Sequence, residues 1–115
     1  MKYIITESQQ NKLSNVFQRL INIELKKIED ESMDWGLGEM EYIDEVQSID
    51  RIEVDRVVAI DGLKVYVKIY SYGVRYDFNF IRSEIQWRVE KVIPNVKIFI
   101  DDIINVNEFG PGIDW

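Results

Sequence analysis

Between Glu53 and Ile81 apolar and polar residues alternate almost without interruption, and two turn signals divide the run. Alternation with a period of two sends successive side chains to opposite faces of a strand. Asp61-Gly62 is a strong hairpin signal, because a type I′ turn needs φ > 0 at both central positions, and Tyr72-Gly73 can serve as a second turn. Two-residue turns at both places predict a three-stranded antiparallel meander with defined registers. Ile60 faces Leu63, Val58 faces Val65 and Val54 faces Ile69, while across the second turn Ile69 meets Tyr76, Val67 meets Phe78 and Val65 meets Phe80. Arg56 breaks the apolar face, opposite Val67: either its stem packs and its head snorkels to an acid, or it is a buried ion pair or a site residue. On the polar face Asp55, Lys68 and Asp77 form an acid–base–acid ladder, flanked by Tyr66 and by Tyr70, which stands opposite Arg75.

Outside the meander the period becomes helical. Met1–Ile5 is a short apolar run suited to an edge strand, and Thr6-Glu7-Ser8-Gln9 is a capping box that opens a helix running to about Ile28. Leu13, Val16, Phe17 and Leu20 form its apolar stripe. Ile21, Ile23, Leu25 and Ile28 widen that stripe to roughly 200°, more than one covered side needs. The sheet therefore covers one side, and the following segment or a partner subunit covers the other. Gly36-Leu37-Gly38 is a break, after which Met40, Ile43, Val46 and Ile49 recur every third residue, as in a short helix lying across the core with its acids outward.

Ser83-Glu84-Ile85-Gln86 repeats the capping box and opens a further helix that Pro94 ends. Ile85, Val89, Val92 and Ile93 make its buried face, Glu84 and Arg88 an i,i+4 pair, and Trp87 lies nearly opposite, either tucked under a loop or held for a partner. Val96–Val106 reads as a last strand with Val96, Ile98, Ile100, Ile104 and Val106 on one face, interrupted by Asp102, so a bulge is expected near Asp101-Asp102. Asn107–Trp115 is a tail in which Gly110-Pro111-Gly112 forbids regular structure; its Phe109, Ile113 and Trp115 fold back on the core or dock on a neighbour. The fold class is thus α+β: an antiparallel β-meander with a long N-terminal helix and a second helix before a final strand, in the order α-β-β-β-α-β. Residues 1–106 form one domain and 107–115 the tail.

Composition narrows the chemistry. The 115 residues contain no Cys and no His, which excludes disulfides, thiolate nucleophiles, zinc ribbons and any imidazole base or metal ligand. Catalysis would rest on carboxylates, Lys, Tyr or a hard cation such as Mg²⁺. A formal charge of −7 opposes direct nucleic-acid binding, which needs clustered Lys and Arg. The acid is concentrated: Glu29 to Asp55 holds eleven Asp and Glu against the single cation Arg51, as a solvated face or as a surface for a basic partner. No apolar run approaches the roughly 20 residues of a membrane span, so a membrane is not an expected partner.

The order of elements resembles the core of the PD-(D/E)-x-K nuclease fold, in which two carboxylates hold Mg²⁺ and a Lys polarises water. Its nearest match here is Asp61 with Asp77-Phe78-Asn79, where Asn79 stands in the place of that Lys. A cross-strand ion-pair ladder explains Asp55, Lys68 and Asp77 equally. Neither Asp101-Asp102 nor the acids of Glu39–Glu45 have calcium-loop spacing, and no Walker or G-x-G-x-x-G loop is present, so no metal or cofactor is expected. The opening Met1-Lys2-Tyr3-Ile4-Ile5-Thr6-Glu7-Ser8-Gln9 resembles the start of short proteins encoded by tailed bacteriophages. That resemblance implies a phage protein, located in the host cytoplasm or in the virion, and transfers no active site. The functional expectation is a non-enzymatic acidic interaction protein, a virion component or accessory protein, that self-associates or binds a protein partner through Trp87, Tyr66, Tyr70, Phe109 and Trp115. Two alternatives accompany it: an acidic mimic of nucleic acid that inhibits a DNA-binding protein through Glu29–Asp55, and a divergent Mg²⁺-dependent nuclease.

Overall fold

Among the described residues two helices precede the first strand, and a third separates the second strand from the last. A computed structural model describes residues 7–35, 40–72 and 76–106. Its elements are α1 (Glu7–Ser32), α2 (Met40–Gln47), β1 (Ile49–Ala59), β2 (Leu63–Ser71), α3 (Asn79–Glu90) and β3 (Val96–Asn105). The α+β class holds, with a mixed three-stranded sheet: β2 is central, antiparallel to β1 and parallel to β3. The expectations on Met1–Thr6, Gly36–Gly38, Gly73, Arg75 and the tail with Phe109 and Trp115 fall outside the described residues.

α1 runs past Ile28 to Ser32 and buries Phe17, Ile21, Glu24, Leu25 and Ile28 on one stripe. It packs on β1, α3 packs on β3, and the two helices touch, so both cover the same face of the sheet. The following segment covers part of the second side of α1. α2 touches α1 and α3, yet Val16 and Ile23 stay exposed among the described residues. α2 itself forms where the three-residue recurrence places it and buries Val46, but it also turns Glu45 inward.

The meander survives as one hairpin. Ala59, not Ile60, pairs with Leu63, so Ile60-Asp61-Gly62 is a three-residue connection with Asp61 at φ 52° and Gly62 at φ 105°. A Cβ at Gly62 would stand 2.8 Å from Asn95 Nδ2, so the glycine serves both the turn and a close approach. Further along, the register slips twice in β1. Val57 pairs with Val65, Val54 with Val67 and Ile52 with Ile69, which leaves Asp55 and Asp50 without partners in the ladder. Each slip resets the parity of the strand. Arg56 therefore pairs with Tyr66 on the outer face and is not on the apolar face opposite Val67.

Among the described residues no third antiparallel strand forms. β3 occupies the free side of β2, and the segment expected to fill it becomes the approach to α3, which starts at Asn79 rather than Ser83. Asp77 accepts a hydrogen bond from the Asn79 N–H at 3.0 Å, and Phe78 turns left-handed at φ 60° with its side chain buried. The aromatic residues that imitated a strand pack elsewhere: Phe80 stacks on Tyr42 at 4.0 Å and Tyr76 meets Phe78 at 6.0 Å. Ile85 and Val89 are buried as expected and Ile93 is partly buried, but Val92 is 60% exposed. The β3 bulge falls where the sequence places it, between Ile100 and Asp102, and leaves Asp101 unpaired. Its effect is to turn Ile103 toward the core and to pair Ile104 with Tyr70, so Ile104 leaves the face assigned to it.

Candidate interaction surface

With both helices on one face, β2 presents Lys64, Tyr66, Lys68 and Tyr70 on the other, where no described helix lies. The bulges decide what stands around them. Asp50, Asp55 and Asp101 are the residues left out of the strand pairing, and each bulge of β1 is an Asp followed by an Arg. Arg51 lies 3.8 Å from the centre of the Tyr70 ring and Arg56 lies 4.1 Å from that of Tyr66. Tyr66 stacks on Phe99 of β3 at 5.3 Å and 24°. Arg56 also reaches Asp55 at 3.1 Å and Asp101 at 3.6 Å, so one side chain from β1 spans β2 and contacts β3. Cation–π contacts of this kind are worth about 0.5–1 kcal/mol at exposed sites.

The expected ladder exists with other members. Lys68 reaches Asp55 at 3.5 Å, but its partners in register are Glu53 and Asp102, and Asp77 is in the approach to α3. Arg51 binds Asp50 at 2.6 Å and Glu53 at 2.7 Å, and the Tyr72 hydroxyl donates to Asp50 at 2.7 Å. That hydroxyl, together with Arg51, holds the Asp50 carboxyl below its ordinary range, and Glu53 chiefly raises Arg51. The outer face carries Arg51, Arg56, Lys64, Lys68 and Lys97 against Asp50, Glu53, Asp55, Asp101 and Asp102. It is balanced on a chain of formal charge −7.

The sheet edges are occupied at mid-strand. The Gln18 amide donates to Ile52 O and accepts from Val54 N, both at 2.7 Å, on edge strand β1. On β3, Gln86 accepts from Ile98 N at 2.9 Å and Arg82 donates to Ile98 O at 3.2 Å. Such plugs remove the free backbone groups that would template another strand. Glu45 acts similarly inside the molecule: its buried carboxylate accepts the Ile81 N–H at 2.9 Å and places negative charge at the α3 N-terminus. Sequence reasoning missed these four side chains, because every partner lies far along the chain.

On the helical side Trp87 is 57% exposed, with Lys91 Nζ 3.4 Å from its ring centre. It borders a shallow groove with Glu24, Lys27, Arg88 and Val92. Arg88 bonds Glu31 through two nitrogens, each at 3.0 Å, and also reaches Glu84 at 3.4 Å and Glu24 at 3.8 Å, joining α1 to α3. The hydrogen bonds from Arg88 draw Glu31 below its ordinary range, while burial pushes neighbouring Glu29 up.

Asp61 and Asp77 stand beyond opposite ends of β2, which spans roughly 30 Å at ~3.3 Å per residue. They do not converge. Among the described residues no group of three or more acids is placed to hold a metal ion. No described helix is long and apolar enough to cross a membrane. Within Glu29–Asp55, the acids Asp30, Glu31, Asp50, Glu53 and Asp55 each hold a cation, and Glu45 is buried. No protein-family model, curated protein or solved structure matches the chain.

Proposed function

We propose that the protein is a non-enzymatic interaction module that binds a protein partner through the outer face of its sheet, with Tyr66, Tyr70 and Phe99 as contact residues. The observation that carries this reading is a set of aromatic rings, two of them contacted by arginines, on the one sheet face that no described helix covers. Tyr and Arg are the residue types that dominate binding energy at interfaces. Side chains already plug the sheet edges, which favours docking on the face over strand addition. Trp87 marks a second, smaller contact. Following the resemblance of its opening residues, the protein serves as a virion component or an accessory protein in an infected cell.

The test is affinity capture with the full chain. Tyr66→Ala combined with Tyr70→Ala is expected to abolish partner capture while circular dichroism stays unchanged. Undiminished capture by that variant, with capture lost instead in Trp87→Ala, would move the site to the helical side and end this assignment.

A further inference from the structure

The two ends of the outer face differ in how their cations are matched. Toward Ser71, Arg51 and Lys68 each hold an acid at 3.5 Å or less. Toward the hairpin, Lys64 and Lys97 are paired residues on β2 and β3, and neither forms an ion pair among the described residues. Val58, not an acid, flanks Lys64 on β1. Like charges directly opposite one another are unfavourable in a sheet unless an anion sits between them. Two residues further along the same strands lies the Tyr66–Phe99 stack, with Phe99 39% exposed.

Resting on the reading of this face as an interaction surface, we propose that its hairpin end binds an acidic–aromatic peptide segment of the partner protein. One or two carboxylates sit between Lys64 and Lys97, and an aromatic ring lies against Phe99 and Tyr66. The charge pattern selects a peptide over a nucleic acid. A single strand of nucleic acid needs a continuous track of free cations along its backbone. Among the described residues only Lys64 and Lys97 are unmatched on the face, and Arg51, Arg56 and Lys68 are already held by Asp50, Glu53, Asp55 and Asp101. Two free charges suit one or two carboxylates.

The experiment titrates the full chain with a fluorescein-labelled nonapeptide built on an Asp-Trp-Glu core, read by anisotropy. Saturable binding is expected, weakened about tenfold or more, which is roughly 1.4 kcal/mol, when both acids of the peptide are neutralised or its tryptophan is replaced by alanine. Lys64→Glu with Lys97→Glu is expected to weaken it at least as much. Lys64→Gln with Lys97→Gln provides the same test should charge reversal disturb folding. Arg19→Glu, on the exposed side of α1, is expected to leave it unchanged. Absence of binding overturns the proposal, as does tighter binding of a fifteen-residue oligothymidine lost in the same lysine variants. Binding that emerges only in Phe109→Ala with Trp115→Ala also overturns it, by assigning the face to the chain's own tail. If the peptide fails while Tyr66→Ala with Tyr70→Ala still abolishes partner capture, the interaction surface stands and only its partner's chemistry is wrong.

Discussion

Residues 65–70 of β2 belong alternately to two environments. Val65, Val67 and Ile69 are buried in one continuous core with residues of α1 and α3. Tyr66, Lys68 and Tyr70 between them are partly exposed, and each depends on one or two neighbours across the strand: Arg56 and Phe99, Asp55, and Arg51 respectively. Inner contacts are many and redundant, while outer ones are few and individually replaceable. The stability of the fold therefore resides on one side of the strand and its recognition chemistry on the other, so the two are separable by mutation.

The largest test of that division is Ile69→Ala, which removes a fully buried side chain and is expected to cost about 2–5 kcal/mol in urea unfolding. A loss below about 1 kcal/mol would mean that the helices do not pack on this face as described. Next comes Glu45→Ala, which strips the Ile81 N–H of its buried acceptor and is expected to cost about 1–3 kcal/mol. Glu45→Gln keeps an acceptor and is expected to recover part of that loss. Tyr66→Ala is expected to cost about 1 kcal/mol or less, the scale of one cross-strand aromatic pair. If it costs as much as Ile69→Ala, the outer face is structural and the division fails.

The smallest effect concerns pH. Arg88 holds the Glu31 pKa below the ordinary 4.5, so its contribution to stability is present above that value and is lost as pH falls through the lower folded value. Burial raises Glu29, so its ionisation opposes folding at neutral pH, and protonation relieves that opposition as pH falls. Thermal melts from pH 7 to pH 3 should thus show a shallower acid decline for Glu31→Gln than for the parent. Glu29→Gln should show a slightly higher melting temperature at pH 7, with the difference shrinking on acidification.

The hairpin, α2 and the β3 bulge were legible, because each depends on residues close in sequence, whereas the pattern places Trp87 opposite the buried stripe without deciding between a covering loop and exposure. The segment from Tyr76 to Phe80 was not legible. Its alternating aromatics satisfy a strand pattern, but the free side of β2 goes to β3, and the α3 N-terminus draws a carboxylate from α2. Neither competitor leaves a local trace. The position of Arg56 was legible in principle. Ile49-Asp50-Arg51-Ile52 and Val54-Asp55-Arg56-Val57 repeat one pattern, an Asp-Arg pair between two β-branched residues. A regular strand cannot turn both flanking apolar residues inward when two residues separate them. A bulge in each pattern resolves this, and each sets an arginine over a tyrosine. Of the candidate residues, Tyr66 and Tyr70 come together on one surface, and Trp87 stands on α3, which packs on the covered face of the sheet.

Three aspartates, Asp50, Asp55 and Asp101, are each one residue more than the ladder requires. Removing any one of them leaves inward and outward positions in phase: without Asp55, Ile52, Val54 and Val57 alternate with Glu53 and Arg56. Loss of a single codon elsewhere in β1 or β3 would exchange the two faces beyond the deletion. The sheet thus contains three points at which its strands can change length while the core stays in step.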